Sequence, residues 1–357
     1  MGIYMEKHSL NEMKTTKTLG SVLNGKKNNI DILRFISAIL VIVSHSVPVS
    51  YGKGYVDILA KWTNQPLTFG GLAVGAFFVC GGFLILKSAD NKKDFWGFTK
   101  ARVIRIFPSL WGFVIVMTLL IGPFLTELST LEYYANGNTY KYLLNGVFFL
   151  NYDLPGVFLD NVYGSVVNGA LWTLPVEFFC YFACYFAVKF KLTEEKIFKF
   201  TLIPVVIGVM GMIYVFRDNS FILTVMRPVV LFYVGMLMYR YREKIIISWK
   251  IFGVSLIAFL LMLCFKCTMI AMLVFFPYIF MFIAFGTRKK ADWFGKYGEF
   301  SYGIYLWGFP VQQFVCNMFG GEMLWYLNVI VTIPIVVVLG IANYYLIEKP
   351  IMKISRK

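Results

Sequence analysis

Ten apolar stretches follow one another along the 357-residue chain, and they constrain its fold more than any other feature. A helix needs about 20 mostly apolar residues to cross a bilayer. The stretches lack the strict alternation of membrane β-barrel strands, so the sequence predicts an all-α integral membrane protein with about ten transmembrane helices. They are residues 30–50, 67–87, 106–126, 171–188, 200–216, 221–239, 246–264, 267–286, 301–319 and 324–346.

The composition agrees with this interpretation. Hydrophobic residues make up 59% of the chain and charged residues only 15%, whereas a soluble domain carries about 25% charged residues. The net charge is nevertheless +15. A nucleic-acid-binding protein places its basic residues on a polar surface, so we expect a lipid bilayer and no nucleic acid as the partner. The expected location is the plasma (inner) membrane, with several passes.

The positive charges predict the orientation in the membrane. Of the 34 Lys and Arg, 26 lie in alternate loops and tails, and only 5 lie in the intervening loops. Basic loops stay in the cytoplasm, so both chain ends are predicted to be cytoplasmic. The predicted organisation is a polar tail over 1–29, a ten-helix membrane domain over 30–346 and a basic tail over 347–357. The outer loop 127–170 contains a short apolar piece, 143–150, which predicts an interfacial or re-entrant element that covers an outward-facing site.

Two ionisable residues of the first stretch predict a function. Arg34 and His45 are eleven residues apart, so they share one helix face and lie about 16 Å apart along the axis. His45 is either a hydrogen-bonded structural residue or a general base, since imidazole titrates near neutrality. Arg34 either binds a ligand or has a structural role, in which its side chain extends to the membrane interface or pairs with Asp31. No metal is expected, because His45 lacks partners at ligand spacing.

Glu177 is the second unusual charge. The fourth stretch enters from outside, which puts Glu177 about 9 Å below the outer boundary and His45 about 7–8 Å below it. These matching depths predict a catalytic pair in which the carboxylate orients the imidazole.

Other polar residues each have two interpretations. Arg102 and Arg105 could hold phosphates on one helix face, or they could simply mark a cytoplasmic loop. Trp172 could pack on a sugar ring or anchor the membrane interface. Cys264 and Cys267 are interpreted as small apolar residues at a helix turn rather than as a metal or redox pair.

Taken in order, these residues resemble the motifs of the acyltransferase-3 family of membrane proteins, which O-acylate envelope carbohydrates. The resemblance covers nearly the whole chain. The matching segments are Arg34-x10-His45, the glycine-rich 74–84, Arg102-x-x-Arg105-Ile-x-Pro108-x-x-Trp111, Leu171-Trp-Thr-Leu-Pro-Val-Glu177 and Ser301-Tyr-Gly-Ile-Tyr-Leu306. Three positions depart from the family pattern: Gly75 and Gly81 stand where an acidic residue and a serine are common, and Gly308 stands where a histidine is common.

The resemblance implies transfer of an acyl group, most often acetyl, from cytoplasmic acetyl-CoA to a hydroxyl of a carbohydrate, free or lipid-linked, such as O-antigen, capsule or exopolysaccharide. It implies catalytic roles for His45 and Glu177, donor binding by Arg34, Arg102 and Arg105, and acceptor binding by Trp172. His45 would act as a base or carry the acyl group itself. The alternatives are a transporter or flippase for a lipid-linked sugar, and a structural protein of envelope assembly.

Overall fold

The computed structural model describes residues 17–23, 28–64, 67–91, 94–215, 220–287, 291 and 293–355. The predicted tail residues Lys7, Lys14, Lys26 and Lys27 lie outside the described residues. Within them the regular structure is helical, and β structure is limited to three isolated bridges. The all-α prediction is therefore confirmed.

Long helices account for most of the described chain, and we label them in chain order. In that part of the chain, α1, α2, α3, α8 and α10 have the length and apolarity of membrane spans. These five fit a multi-pass membrane protein, while crossing by all ten stretches and cytoplasmic chain ends stay predictions. The bounds are α1 Ile30–Tyr51, α2 Phe69–Asn91, α3 Phe95–Leu125, α4 Thr173–Lys189, α5 Glu195–Val215, α6 Ser220–Arg240, α7 Trp249–Cys264, α8 Thr268–Gly286, α9 Ser301–Met318 and α10 Trp325–Ile354.

Proline widens three of these helices at specific places. The π-helical segments Val116–Ile121, Ala271–Phe275 and Tyr344–Glu348 end two residues before Pro123, Pro277 and Pro350. Proline lacks an N–H and its ring clashes with the carbonyl four residues earlier, so the backbone locally takes a wider turn. In α10 the wide turn includes Glu348, a residue of the site described below.

The glycine-rich run of α2 allows unusually close helix packing, which small residues in a membrane helix predict. A side chain at Gly82 would place its Cβ 1.9 Å from the Phe232 carbonyl oxygen of α6, and one at Gly235 would lie 2.2 Å from the Val79 carbonyl oxygen. Small residues let helix backbones approach in this way inside a membrane. Because α2 also packs against α1 and α4, it holds together the helices that carry the predicted site.

The outer segment between α3 and α4 is folded onto the helices. It contains the helices Thr130–Ala135 and Gly137–Lys141 and a 3-10 turn over Tyr142–Val147. The hydroxyls of Tyr133 and Tyr134 donate to the carbonyl oxygens of Thr118 and Leu119, at 2.9 and 2.8 Å. These carbonyls belong to the π-helical segment of α3, so the outer segment satisfies backbone groups at this wide turn.

Both predicted tails have parts that belong to the helical body. The helix Leu19–Leu23 precedes α1, Leu19 is buried, and its N–H donates to the Ile245 carbonyl oxygen at 2.7 Å. At the other end α10 continues to Ile354. Residues 19–23 and 349–354 are thus helical parts of the predicted tails, and the domain boundaries themselves stay a prediction.

Candidate active site

A cavity on the predicted cytoplasmic side, named the inner cavity, contains three of the predicted donor-binding residues. It has a volume of about 270 Å³, and Arg34 from α1 and Arg102 and Arg105 from α3 line it together with Glu177 and Glu299. Residues far apart in the sequence thus form one charged chamber. Its size suits part of a polar ligand rather than a whole large one.

Glu299 is the centre of an ion-pair network in this cavity. Its carboxylate pairs with Arg34 and, at 2.6 Å, with Arg105. Arg105 also contacts Glu348 of α10 at 3.2 Å, and Glu348 accepts a hydrogen bond from Asn343. Burial opposes ionisation of Glu299, but Arg105 and Arg34 outweigh it and hold the pKa of Glu299 below its ordinary value. The carboxylate is therefore charged at neutral pH.

Arg102 differs from the other two arginines. Its guanidinium lies over the rings of Phe98 and Tyr181, at 5.7 and 6.0 Å from their centroids. Its Nε is a buried donor that has no hydrogen-bond partner among the described residues. Arg102 therefore lines the cavity as a cation held by aromatic rings, whereas Arg34 and Arg105 are held by carboxylates.

A narrow neck adjoins the inner cavity. This space of about 40 Å³ shares Arg34, Phe77 and Glu177 with the inner cavity. It also shares Thr173 and Tyr305 with a third space. Room for only a few water molecules remains in the neck, so it marks the narrowest point between the cavities on either side.

The third space lies on the predicted outer side and is named the outer cavity. It contains the remaining predicted residues, His45 and Trp172. It has a volume of about 540 Å³, and His45 and Trp172 line it together with Ser44, Thr173 and Arg227. The His45 ring packs edge-on against Phe309, with the ring centroids 5.3 Å apart. The six predicted site residues therefore line three adjoining spaces, which extend along α1 from Arg34 to His45.

A hydrogen-bonded pair separates the neck from the outer cavity. The hydroxyls of Thr173 and Tyr305 lie 2.6 Å apart, and the Tyr305 hydroxyl also lies 2.7 Å from the Ala170 carbonyl oxygen. All three residues are buried. The start of α4 is thus fixed to α9 at the point where the two spaces meet.

Glu177 lines the neck and the inner cavity with Arg34, whereas His45 lines the outer cavity. Glu177 accepts a hydrogen bond from Tyr181, and the charge of Arg34 acts on it. The chain before α4 is buried, with the Asn168 side chain donating to the Leu306 carbonyl oxygen at 2.9 Å. The catalytic pairing of Glu177 with His45 stays a prediction.

Asp57 is the carboxylate whose charge acts on His45. It is 2% exposed and accepts hydrogen bonds from the Ser44 hydroxyl at 2.6 Å and from the Phe69 N–H at 2.7 Å. Sequence reasoning missed this residue because it lies in a loop between apolar stretches, where a charge needs no explanation. The only sequence signal is its position as a cap one residue before the helix Ile58–Thr63.

Glu299 was missed for the same reason. It lies in the predicted cytoplasmic loop 287–300, among basic residues that satisfy the topology rule on their own. Its position two residues before Ser301, where the late-span motif begins, is the signal that could have indicated it.

No group of three or more His, Cys, Asp or Glu able to hold a metal occurs among the described residues. Cys264 and Cys267 are exposed free thiols.

This is an all-helical membrane protein whose partly buried arginines, histidine and carboxylates line cavities within the helix bundle, an arrangement typical of a membrane enzyme. The acyltransferase-3 family model, described as an acyltransferase domain, matches residues 27–348. The chain therefore belongs to this acyltransferase family.

Two relatives extend the comparison. The chain is 29% identical to an O-acetyl transferase of Shigella phage Sf6 over 349 residues, which covers 91% of this chain and 96% of the relative. It is also 29% identical to nodulation protein 10 of Rhizobium leguminosarum bv. viciae over 157 residues, covering 43% of this chain and 42% of the relative. No solved structure matches.

Proposed function

We propose that the protein transfers an acetyl group from cytoplasmic acetyl-CoA to a hydroxyl of a cell-envelope carbohydrate. The observation that carries the proposal is the series of adjoining spaces from the arginine-rich inner cavity to the His45 cavity. The relationship to the phage O-acetyl transferase supports acetyl as the acyl group. The predicted ten-span topology, with both chain ends in the cytoplasm, would place the inner cavity on the donor side.

The inner cavity supplies the binding chemistry for the donor. Acetyl-CoA carries phosphates on one end and a long flexible arm on the other. Arg102 is suited to a phosphate because its Nε–H has no hydrogen-bond partner, and its guanidinium forms no ion pair with a carboxylate, within the part of the chain that the structure describes. Arg34 and Arg105 share Glu299, so we assign them to positioning the arm at the neck, with Glu299 as the residue that positions both.

We place the reaction itself in the outer cavity. The acceptor hydroxyl would attack the thioester carbonyl carbon, its proton would pass to His45, and the C–S bond would break as the ester C–O bond forms. The leaving CoA thiolate then takes a proton. If His45 first accepts the acetyl group itself, the C–S bond breaks as a bond forms between the acetyl carbon and an imidazole nitrogen, and this C–N bond then breaks as the acceptor oxygen forms the ester. Trp172 lines the same cavity, and its ring offers a flat apolar face to a sugar.

Asp57 is the carboxylate whose charge acts on His45. Glu177 has a different proposed role. Asp57 holds Ser44, the residue before His45, and so fixes the local position of α1. Glu177 lines both the neck and the inner cavity. There it would balance the charge of Arg34 and guide the arm of the donor past the narrowest point.

A His45→Ala variant tests the proposal. We expect it to insert and fold normally but to lose transfer of radiolabelled acetyl from acetyl-CoA to the envelope polysaccharide, by about 10²-fold or more. His8→Ala changes the other histidine of the chain and is the matched control, with full transfer expected. Normal acetylation by His45→Ala would overturn the catalytic role. Movement of a lipid-linked sugar without any acetyl transfer by the wild-type protein would favour the transporter alternative.

A further inference from the structure

A fourth cavity lies in the outer segment, away from the residues assigned above. Its volume is about 660 Å³, and it is lined by residues between Asn136 and Ser165. This volume is within the range of small-molecule binding sites. Its lining shares no residue with the three spaces of the candidate active site, so the cavity is separate from them.

The cavity is held in shape by buried polar contacts. The side chain of Asn145, which is buried, donates to the carbonyl oxygens of Tyr142 and Asn151, both at 2.8 Å, and accepts from the Asn151 N–H at 2.9 Å. On the other side Gly156 has a φ of +71°, and a Cβ there would lie 2.3 Å from the Thr126 hydroxyl. Such fixed geometry means that a ligand would not have to order the loop first.

The lining combines two kinds of surface. Exposed or partly exposed polar side chains come from Asn138, Asn151 and Asp153, and the Ser165 hydroxyl donates to Asp153 at 3.0 Å. The Phe149 ring, also part of the lining, is 72% exposed. Amides and carboxylates bind hydroxyl groups, and an exposed ring can cover the apolar face of a sugar. Lys141 is the cation of the lining. One lysine supplies too little positive charge to bind a polyphosphate ligand.

The chain connects this cavity directly with the outer cavity. Ser165 lines the former and Ala170, five residues later, lines the latter. Five residues of extended chain span at most about 18 Å. The intervening backbone is fixed, because the Gln313 side chain donates to the Gly164 and Val166 carbonyl oxygens at 2.9 and 2.8 Å. A carbohydrate chain of a few sugar units could therefore occupy both cavities at once.

We infer that the cavity between Asn138, Phe149 and Asp153 is a binding subsite for acceptor sugars beyond the one that is acetylated. The inference rests on the proposed function, since it takes the acceptor to be a carbohydrate chain. The subsite makes the enzyme favour a polymer over a single repeat unit. It adds no catalytic group and acts by raising the affinity for long acceptors.

The test compares two acceptors with the full-length protein in lipid nanodiscs. The long acceptor is the envelope polysaccharide of cells carrying the protein, freed of its ester groups with mild alkali, and the short acceptor is its single repeat unit. For Phe149→Ala we expect kcat/KM for the polymer to fall about tenfold. The value for the single repeat unit should stay within about twofold, and KM for acetyl-CoA should not change. Leu131→Ala is the matched control, since Leu131 is 81% exposed in the same segment and does not line the cavity.

An equal fall for both acceptors, or no fall for either, would overturn the subsite. A separate binding measurement distinguishes this outcome from failure of the proposed function. If the wild-type protein binds the polymer, Phe149→Ala weakens that binding and no acetyl is transferred, the subsite stands and the proposed activity fails. If the wild-type protein acetylates the repeat unit but does not prefer or bind the polymer, the activity stands and the subsite fails.

Discussion

The inner and outer cavities of the candidate active site are built from different chemistry. The inner cavity contains Arg34, Arg105 and Glu299 joined by ion pairs. The outer cavity is about twice as large and, apart from Arg227, is lined by aromatic, aliphatic and neutral polar groups around His45 and Trp172. Charged groups that are already paired resist movement, whereas a roomier space with fewer charges can admit a bulky acceptor. This contrast supports our proposal that the donor binds at the Arg34 end of α1 and the acceptor reacts at the His45 end.

The largest effect is expected for Glu299→Ala. The change leaves Arg34 and Arg105 without their shared carboxylate, and breaking such a partly buried pair costs about 2–4 kcal/mol of folding free energy. We expect a lower thermal unfolding temperature in detergent and little remaining acetyl transfer. Glu322→Ala, at an exposed acidic residue, is the control. Wild-type stability in Glu299→Ala would mean that the inner network does not hold the helices together.

The next effect separates two kinds of arginine in the inner cavity. Arg102→Gln should raise KM for acetyl-CoA about tenfold and leave the unfolding temperature nearly unchanged, because Arg102 is held by ring contacts. Arg105→Gln should lower the unfolding temperature as well, because it removes the cation that pairs with Glu348 and one of the two arginines that pair with Glu299. Steady-state kinetics and thermal unfolding on the same preparations measure both. Identical behaviour of the two variants would remove the proposed distinction.

A smaller effect on the unfolding temperature is expected when the pH is lowered. The folded protein holds the pKa of Glu299 below its ordinary value, so the ion pairs contribute full stability above about pH 5, and this contribution is lost as the pH falls below about 4. Unfolding temperatures measured from pH 7 to pH 3 should show this loss in the wild-type protein. Glu299→Gln lacks the titrating group, so its curve should be flatter. Parallel curves for the two proteins would show that another group controls acid stability.

The smallest effect is expected at the boundary between the cavities. Tyr305→Phe removes the hydroxyl that contacts Thr173 and Ala170, and loss of a buried hydrogen bond costs about 1 kcal/mol. We expect a fall in kcat of about threefold to tenfold with little change in KM for acetyl-CoA. Tyr326→Phe, at an exposed tyrosine of α10, should have no effect. A larger change in donor KM than in kcat would place Tyr305 in donor binding and blur the division between the two cavities.

Most of the helical architecture could be predicted from the sequence. Apolar stretches of about 20 residues allow few structures other than membrane helices, because backbone polar groups in lipid must be paired within the segment. The glycine-rich run predicted the close packing of α2, and the shared face of Arg34 and His45 follows from helix geometry within one continuous element. These are local properties, so they can be read along the chain.

Contacts between separate elements could not be predicted in this way. The sequence singled out Glu177 as an unusual charge, but the groups that surround it, among them Tyr181 and Arg34, depend on how the helices pack. Asp57 and Glu299 looked like ordinary loop residues until folding brought them against Ser44 and Arg34. The sequence by itself determined which segments are helical and which charges are unusual. Only the tertiary structure decided which charges meet, because long-range pairing depends on the packing of whole helices.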